Sequence, residues 1–211
     1  MANKPNPATP GKIYEAAAEL FAKYSYESVS VKDIAEVGGV NSALISYYFG
    51  GKENLYQSVL LQQADIFVNT IVKISKMKIS PLAKIRKFMD KETDLQLKNK
   101  NNIFILYREM LSPSTKGTIT LREHLFKVQD YLSQFIAEGI ADGSLRKDLN
   151  PRRTAFALES ILAFFFMAKD NIKVAFGFEE DTMKEHVEGI YTDYINSLLV
   201  KEDNHHADAK I

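Results

Sequence analysis

The sequence predicts an all-α protein, and three observations support this fold class. Apolar residues recur at intervals of three and four along most of the chain, which is the spacing of one helix face. Most of the six prolines and ten glycines stand where such a stretch begins or stops, as they do at helix ends. No stretch alternates for long enough to predict a strand. We expect about nine helices.

The composition is that of a folded protein and excludes several kinds of site. With 211 residues, 45% of them hydrophobic, the chain can bury a sizeable core, which excludes disorder as a class. Basic and acidic residues number 27 each, so the net charge indicates neither nucleic acid nor a membrane surface. Cysteine is absent, which excludes disulfides, zinc–thiolate sites and cysteine nucleophiles. The longest apolar run, 161–168, is too short to span a bilayer, and we expect a cytoplasmic protein.

The first two predicted helices have recognisable starts, and the second is short. The first begins near Pro10 and has apolar residues at helical spacing from Ile13 onward. The second covers 31–37, because Ser30 can cap it and Asp33 stands three residues later, as in an approximate capping box. The glycine pair that follows ends this helix.

A third short helix begins at Asn41 or Ser42 and ends near Tyr48. Two short helices joined by a short turn with glycine have the geometry of a helix-turn-helix, whose second helix reads bases in the major groove. Lysines at the flanking helix starts can meet phosphates. The same helix pair also occurs in all-α proteins that bind no DNA, so the spacing leaves both interpretations open. The candidate DNA-binding residues are Lys32, Asn41, Ser42, Ala43, Leu44, Ser46, Tyr47, Tyr48 and Lys52.

The rest of the chain predicts further helices. A long one runs from 52 to about 77, and Ser80-Pro81 opens the next as an N-cap followed by proline. Asn150-Pro151 repeats this signature and opens a helix that is apolar on nearly every side, so that it must be buried on more than one face. Residues 176–178 are predicted as a loop and 201–211 as a polar tail. The other helices cover 103–111, 118–141 and a last stretch that includes Met183, Val187, Ile190, Tyr191, Tyr194 and Leu198.

Catalytic and metal-binding motifs are absent from the sequence. The Walker A pattern fails because glutamate follows Gly51-Lys52, and no G-x-S-x-G, H-E-x-x-H or G-x-G-x-x-G occurs. His205 and His206 lie in the polar tail without a third ligand nearby. We therefore expect no enzyme activity, no cofactor and no metal site.

About sixty N-terminal residues also resemble a known family. The matching pieces include Ile13-Tyr14-Glu15-Ala16-Ala17, Val31-Lys32-Asp33-Ile34-Ala35, Gly39-Val40, Tyr47-Tyr48-Phe49 and Lys52-Glu53-Asn54-Leu55-Tyr56. This ordered set is similar to the DNA-binding domain of TetR-family transcriptional regulators. Gly38, Asn41 and Ser46 depart from the commonest residues of that family, which implies a different operator preference.

The resemblance implies a ligand-responsive homodimer that binds an inverted-repeat DNA operator, by default as a repressor, and leaves it when a small effector binds. It implies an N-terminal three-helix DNA-binding domain at 1–51 and a C-terminal helical bundle for effector binding and dimerisation at 52–200. The alternative from another class is an all-helical ligand-binding or protein-interaction module without DNA binding.

Two sets of C-terminal residues follow from the resemblance. Pocket candidates lie among the fifth to eighth helices, and their aromatic character indicates an apolar or aromatic effector, although such residues also suit a core. Arg108 and Glu109 are expected as a charged pair beside that region, and 107–114 resembles the CecR-like branch. The pocket candidates are Phe67, Phe88, Phe104, Tyr107, Met110, Phe126 and Phe165. The dimer candidates, for which a monomeric core is the alternative, are Phe156, Leu158, Leu162, Val187, Ile190, Tyr191, Tyr194 and Leu198.

Overall fold

Helices make up most of the described structure, as the sequence predicts. The structure, a computed structural model, describes residues 8–98, 103–111 and 118–199. Within these ranges it has ten α-helices, no strand and one β-type contact, between Leu145 and Leu199. The helices are α1 (Thr9–Lys23), α2 (Val31–Gly38), α3 (Ala43–Phe49), α4 (Lys52–Ser75), α5 (Pro81–Lys98), α6 (Phe104–Leu111), α7 (Thr118–Ala141), α8 (Pro151–Met167), α9 (Lys169–Phe176) and α10 (Met183–Ser197).

The ends of α2 confirm the predicted capping pattern. Ser30 Oγ accepts a hydrogen bond from the Asp33 N–H (3.2 Å), and Asp33 Oδ2 accepts one from the Ser30 N–H (2.7 Å). The hydrogen bond from the Ser30 backbone lowers the pKa of Asp33 below its usual value, because it favours the ionised carboxylate. Gly39 ends the helix at a φ of +60°, in the left-handed region that glycine enters without steric cost.

The contacts within the chain divide it into two compact units. Described residues within Met1–Val72 and Asp94–Val128 form the first unit, and those within Lys73–Thr93 and Gln129–Ile211 form the second. The first unit therefore contains α6 and most of α4 in addition to α1, α2 and α3. This unit is larger than the predicted DNA-binding domain at 1–51, and it includes α6, which contacts α1 and α4.

The first unit packs its short helices around a small apolar core. Ile13 and Phe21 from α1, Ile34 from α2 and Ile45 from α3 are wholly buried. Since an eight-residue helix is marginal by itself in water, this burial is what stabilises α2 and α3. The core thus sets the orientation of α3 relative to α1 and α2.

The second unit is built on the packing of α8 against α10. Leu158 and Leu162 from α8 and Val187 and Ile195 from α10 are wholly buried. Tyr191 of α10 donates a hydrogen bond to Asp90 Oδ1 (2.6 Å), which joins α10 to α5. Burial raises the pKa of this phenol, and so does the hydrogen bond to the carboxylate.

The prediction of a loop at 176–178 is wrong for its first residue, because Phe176 is the last residue of helix α9. Gly177, at a φ of +69°, caps that helix. No residue of α9 is buried, so the helix has no core-facing stripe from which its period could be read. This helix accounts for the difference between about nine predicted helices and the ten of the described chain.

Two further predictions concerned a membrane-spanning segment and the C-terminal tail. In the part of the chain that the structure describes, no helix has both the length and the apolar character needed to cross a bilayer. The polar tail at 201–211, with His205 and His206, lies outside the described residues.

Candidate nucleic-acid interface

Helix α3 presents a polar and aromatic face to solvent. Ile45 points into the core and is wholly buried, whereas Tyr47 is 70% exposed. Leu44 and Tyr48 are half-buried, and Asn41, Ser42, Ala43 and Ser46 are exposed. The rings of Tyr47 and Tyr48 meet edge to face, with their centroids 4.9 Å apart. The predicted reading residues therefore lie together around one short helix and its N-terminus.

Asn41 has a structural role at the start of α3. Its Oδ1 accepts a hydrogen bond from the Ala43 N–H (2.9 Å), which satisfies one of the free donors of the first turn. Asn41 thereby caps this helix, whereas Ser42 makes no side-chain cap. The Asn41 amide NH2 is not used in this contact and carries two donors suited to a base edge.

The two predicted phosphate-binding lysines differ in their surroundings. Lys32 is exposed at the start of α2. The Lys52 ammonium donates hydrogen bonds to the backbone oxygens of Tyr26 (2.7 Å) and Val29 (2.8 Å). It also lies 4.0 Å from the centre of the Tyr26 ring. Two of its three donors thus hold the α1–α2 loop, so the structure assigns Lys52 an internal contact that sequence reasoning missed.

An aromatic cluster supports the same loop. The rings of Tyr26 and Phe21 each lie 4.8 Å from the Tyr56 ring, between centroids. Tyr56 is in α4, so the cluster joins α1, the α1–α2 loop and α4. Together with Lys52, it fixes the loop that leads into the helix-turn-helix.

The expectation of a charged pair between Arg108 and Glu109 is wrong. Arg108 donates from Nη1 to Phe21 O (3.0 Å) and to Tyr24 O, and from Nη2 to Ala22 O (3.0 Å). These are C-terminal carbonyls of α1 and its C-cap, which have no partner within the helix and carry partial negative charge. The guanidinium fork of Arg108 therefore caps α1.

Glu109 has a separate partner. It is 1% exposed and its Oε2 accepts a hydrogen bond from the Tyr56 hydroxyl (2.9 Å). Adjacent residues of α6 thus hold α1 and α4, the two helices that flank the helix-turn-helix. Their chain separations of 84 to 87 residues for Arg108 and 53 for Glu109 explain why sequence spacing gave no signal.

The predicted effector-pocket residues are distributed over both units. In the first unit Phe67 is buried, Met110 and Phe126 are 54% and 62% exposed, and Tyr107 donates a hydrogen bond to Gln96 Oε1 (2.8 Å). Phe104 is also exposed, with its ring 5.5 Å from the Arg108 guanidinium carbon. In the second unit Phe88 and Phe165 are buried.

The predicted dimer residues fall into two groups in the second unit. Phe156 and Ile190 are exposed and Tyr194 is half-buried, so these three have surface to offer a partner. The others are at most 3% exposed within the protomer, where they pack in the core of the second unit. This second group is Leu158, Leu162, Val187, Tyr191 and Leu198.

An apolar groove lies beside the exposed residues of the predicted dimer set. It has a volume of about 770 Å³, and α8, α9, α10 and the residue Phe178 line it. Phe156 and Ile190 belong to its wall, as does Phe164, which is 67% exposed. Phe165, which the sequence suggested for the effector pocket, contributes to this wall as well.

Two family models match the chain in succession. Residues 13–59 match "Bacterial regulatory proteins, tetR family", and residues 78–165 match "Tetracyclin repressor-like, C-terminal domain". The first match contains the whole helix-turn-helix, and the two together span more than half of the chain. The chain belongs to the TetR family. It is a helix-turn-helix transcriptional regulator, with α2 and α3 as the DNA-binding motif. The resemblance to the CecR-like branch is not confirmed.

Curated relatives of this TetR-family chain are transcriptional regulators. The HTH-type transcriptional regulator RutR of Escherichia coli K12 is 27% identical over 146 residues, which cover 69% of this chain and 68% of RutR. The fatty acid metabolism regulator protein of Bacillus subtilis is 24% identical over 141 residues, covering 67% of this chain and 73% of that protein.

Solved structures of TetR-type regulators share the fold. PfmR of Thermus thermophilus has a TM-score of 0.70 at 22% identity, over 90% of this chain and 99% of PfmR. FadR of Bacillus subtilis, in complex with stearoyl-CoA, has a TM-score of 0.70 at 20% identity, covering 86% and 96%. AibR, in complex with isovaleryl coenzyme A and operator DNA, has a TM-score of 0.72 at 18% identity, covering 89% and 96%.

Proposed function

We propose that this TetR-family chain is a homodimeric repressor that binds an inverted-repeat operator through α3 and leaves it when a small effector binds. The observation that carries the proposal is the open face of α3, where Asn41, Ser42, Ser46 and Tyr47 are exposed together. Such a regulator acts in the cytoplasm, where bacterial DNA lies.

The residues around α3 have different roles in the proposed DNA binding. Asn41 and Ser42, at the N-terminus of the helix, can hydrogen-bond base edges, and Ala43 and Leu44 can contact a thymine methyl group. Tyr47, Tyr48 and Lys32 can contact the phosphate backbone. We assign this role to residues 1–51, and effector binding and dimerisation to residues 52–200.

The homodimer uses the exposed apolar wall of α8 and α10. Phe156 and Phe164 are 68% and 67% exposed, and Ile190 is 45% exposed. Apolar side chains exposed in a cluster usually mark an interaction site. A symmetric dimer also suits the two half-sites of an inverted repeat, whose centres lie about 34–36 Å apart.

The effector is a small molecule with an apolar or aromatic group. The aromatic candidates in both units support this class, and two similar structures hold CoA thioesters, stearoyl-CoA in FadR and isovaleryl coenzyme A in AibR. An acyl-CoA is therefore the first effector class to test. The effector releases DNA only if it binds the DNA-free conformation more tightly than the DNA-bound one.

Helix α6 is the connection between the effector and the helix-turn-helix in this proposal. Arg108 and Glu109 hold α1 and α4, so a displacement of α6 changes contacts at both. Two contacts support this connection, that of Arg108 with α1 and that of Glu109 with α4. Because of them, α6 cannot move without changing its contacts with these two helices.

The experiment that tests DNA binding replaces Asn41 by Asp. Asp keeps the oxygen that caps α3, but it removes the amide donor and adds a negative charge facing DNA. We expect unchanged thermal stability and a loss of affinity of at least about tenfold for an operator selected from random DNA, because one good base contact is worth about 1–3 kcal/mol. Fluorescence anisotropy of labelled DNA measures the affinity.

Asn69→Asp is the matched control, since Asn69 is exposed on α4 and the change in charge is identical. Equal affinity of Asn41→Asp and the wild type for the selected operator contradicts the assigned role of Asn41. If the wild type selects no sequence and binds no DNA at low salt, the repressor proposal itself fails.

A further inference from the structure

The α4–α5 loop, residues 76–80, lies in a stretch of the chain that carries charge of one sign only. Residues 66–89 contain no aspartate or glutamate, although acidic and basic residues are equally numerous in the whole chain. The net charge of the chain therefore conceals a local excess of positive charge, which attracts anions over a distance of about 8 Å at physiological ionic strength. The basic residues of this stretch are Lys73, Lys76, Lys78, Lys84, Arg86 and Lys87.

The basic residues of this stretch differ in whether the protein already uses them. On α5, Lys84 forms an ion pair of 3.6 Å with a glutamate of α7, and Arg86 donates a hydrogen bond of 2.8 Å to an asparagine of α10. By contrast, Lys73, Lys76 and Lys78 are exposed, and none of them has an ion-pair partner among the described residues. The charge that is available to a partner is thus concentrated at the end of α4 and in the α4–α5 loop.

Two apolar side chains are exposed between these lysines. Met77 is 37% exposed and Ile79 is 39% exposed. They alternate with lysines along the loop, since Met77 lies between Lys76 and Lys78 and Ile79 follows directly. The loop therefore offers positive charge and apolar surface to the same partner.

The α4–α5 loop is held in place on the second unit. The Met77 N–H donates a hydrogen bond to Ile74 O (3.0 Å) at the end of α4. Ser80 Oγ accepts a hydrogen bond from the Ala83 N–H (3.2 Å) and so caps α5. Ile74 and Ile85, on either side of the loop, are at most 2% exposed and anchor the two helix ends. The loop thus presents its lysines and its apolar side chains together.

This combination of side chains favours a lipid surface over other anionic partners. The phosphate backbone of DNA attracts lysines, but it offers no apolar surface to Met77 and Ile79. Lysine is also depleted at interfaces between proteins. An anionic membrane accommodates both kinds of side chain, because the long lysine stems reach the lipid phosphates while apolar side chains enter the acyl boundary.

We propose that the α4–α5 loop docks this protein on an anionic lipid surface, with Lys73, Lys76 and Lys78 at lipid phosphates and Met77 and Ile79 in the acyl boundary. This docking involves neither the operator nor the effector, and so goes beyond the proposed function. One lysine near an anionic membrane strengthens binding about fivefold, so that three lysines give a preference of about a hundredfold for anionic over neutral lipid.

Sedimentation with lipid vesicles tests the docking of the full chain. We expect the wild type to sediment with phosphatidylglycerol vesicles at low salt and to bind phosphatidylcholine vesicles about a hundredfold less tightly. The triple variant with Lys73→Gln, Lys76→Gln and Lys78→Gln is expected to lose this preference. A control variant removes the same charge at exposed lysines outside the loop and is expected to keep the preference. Its substitutions are Lys98→Gln, Lys127→Gln and Lys147→Gln.

Fluorescence tests the apolar contact separately, since the chain has no tryptophan. Met77→Trp places a single indole in the loop, and Val174→Trp places one at an exposed position of α9. We expect phosphatidylglycerol vesicles to shift the emission of Met77→Trp to shorter wavelength, because its indole leaves water. The emission of Val174→Trp is expected to stay unchanged.

Three results contradict docking on lipid through this loop. The first is equal binding of the wild type to both kinds of vesicle, or binding to neither. The second is an equal loss of vesicle binding in the two triple variants. The third is an emission of Met77→Trp that does not respond to vesicles. If the wild type binds no vesicles and the loop variant loses affinity for random DNA, the basic surface serves nucleic acid instead.

The affinity for the operator separates this inference from the proposed function. We expect the loop variant and the wild type to bind a selected operator equally tightly. Operator binding without vesicle binding overturns the lipid docking and leaves the proposed repressor standing. Vesicle binding by a protein that binds no DNA has the opposite meaning.

Discussion

At the scale of single residues, charged groups of the same type have different roles according to their surroundings. Lys32 and Lys52 both stand at the first turn of a helix in the helix-turn-helix region. Lys32 faces solvent, whereas two backbone oxygens and an aromatic ring surround the Lys52 ammonium. Substitution of these two lysines therefore separates DNA binding from folding.

We predict that Lys52→Met lowers the free energy of unfolding by about 2 kcal/mol, because two hydrogen bonds from a charged group are lost. Lys32→Met is expected to leave stability within about 0.5 kcal/mol of the wild type, as for an ordinary surface change, and to weaken binding to all DNA sequences alike. Urea denaturation and DNA titration measure the two effects. If Lys52→Met instead weakened DNA binding and left the free energy of unfolding unchanged, Lys52 would contact DNA and would not stabilise the loop.

Glu159 of α8 has a raised pKa that makes stability depend on pH below neutrality. Its Oε2 accepts a hydrogen bond from Gln129 Nε2 (2.7 Å), and its Oε1 is buried without a partner in the described part of the chain. Burial raises the pKa of this carboxyl from 4.5 to about 7. The folded chain therefore binds this proton more tightly than the unfolded chain does, and stability decreases as the pH rises between these values.

We predict that Glu159→Gln flattens the decline of the free energy of unfolding between pH 4.5 and about 7, since the amide keeps the shape but does not ionise. Denaturation at a series of pH values checks this. Glu123→Gln, at an exposed position of α7, is the control and leaves the decline in place. Parallel pH profiles for the wild type and Glu159→Gln contradict the assignment.

At the scale of elements, α6 stabilises helices that are distant in the sequence. Its Arg108 satisfies carbonyls at the C-terminus of α1, and its Glu109 holds Tyr56 of α4. Helix ends that lack an internal partner are where such a side chain stabilises most. The position of α1, and through it the helix-turn-helix, therefore depends on α6.

We predict that Arg108→Gln speeds amide hydrogen exchange at the end of α1 and in the α1–α2 loop, and lowers the free energy of unfolding by about 2 kcal/mol. Arg108→Lys recovers little, because an ammonium cannot reproduce the fork geometry. Exchange monitored by mass spectrometry locates the change. Arg122→Gln, at an exposed arginine of α7, is the control, and equal exchange in both variants excludes a capping role for Arg108.

At the scale of the whole molecule, the charge available for DNA can be counted on the described helices α1, α2 and α3. The chain has a net charge of +0. In α1, α2 and α3, Lys23 pairs with Glu19 at 2.7 Å, while Lys12 and Lys32 are exposed without an ion-pair partner among the described residues. We therefore expect hydrogen bonds from neutral groups of α3 to carry much of the affinity.

We predict a shallow salt dependence of operator binding. Two available lysines in each protomer give about four phosphate contacts in a dimer, and hence a slope of about −4 for the logarithm of affinity against the logarithm of salt concentration. Lys32→Met is expected to reduce the slope to about −2. Titrations at several salt concentrations measure both slopes, and a wild-type slope of about −8 or steeper rules out this small set of contacts.

The sequence by itself determined the features that depend on neighbouring residues. The capping pair of Ser30 and Asp33 and the glycine that ends α2 are local hydrogen bonds and a local dihedral angle. Their partners lie within three residues, so a pattern of residue types is sufficient to predict them. The all-α class and the helix-turn-helix, which rest on the same local signals, were predicted for that reason.

Only the tertiary structure decided which side chains meet across the chain. It showed that Lys52 holds a loop and that Arg108 and Glu109 bind different helices. It also divided the predicted dimer residues into buried and exposed ones and showed that helix α9 lines the apolar groove. These contacts join residues from 23 to 87 positions apart. Helical spacing gives the face on which a residue lies, but packing decides what that face touches.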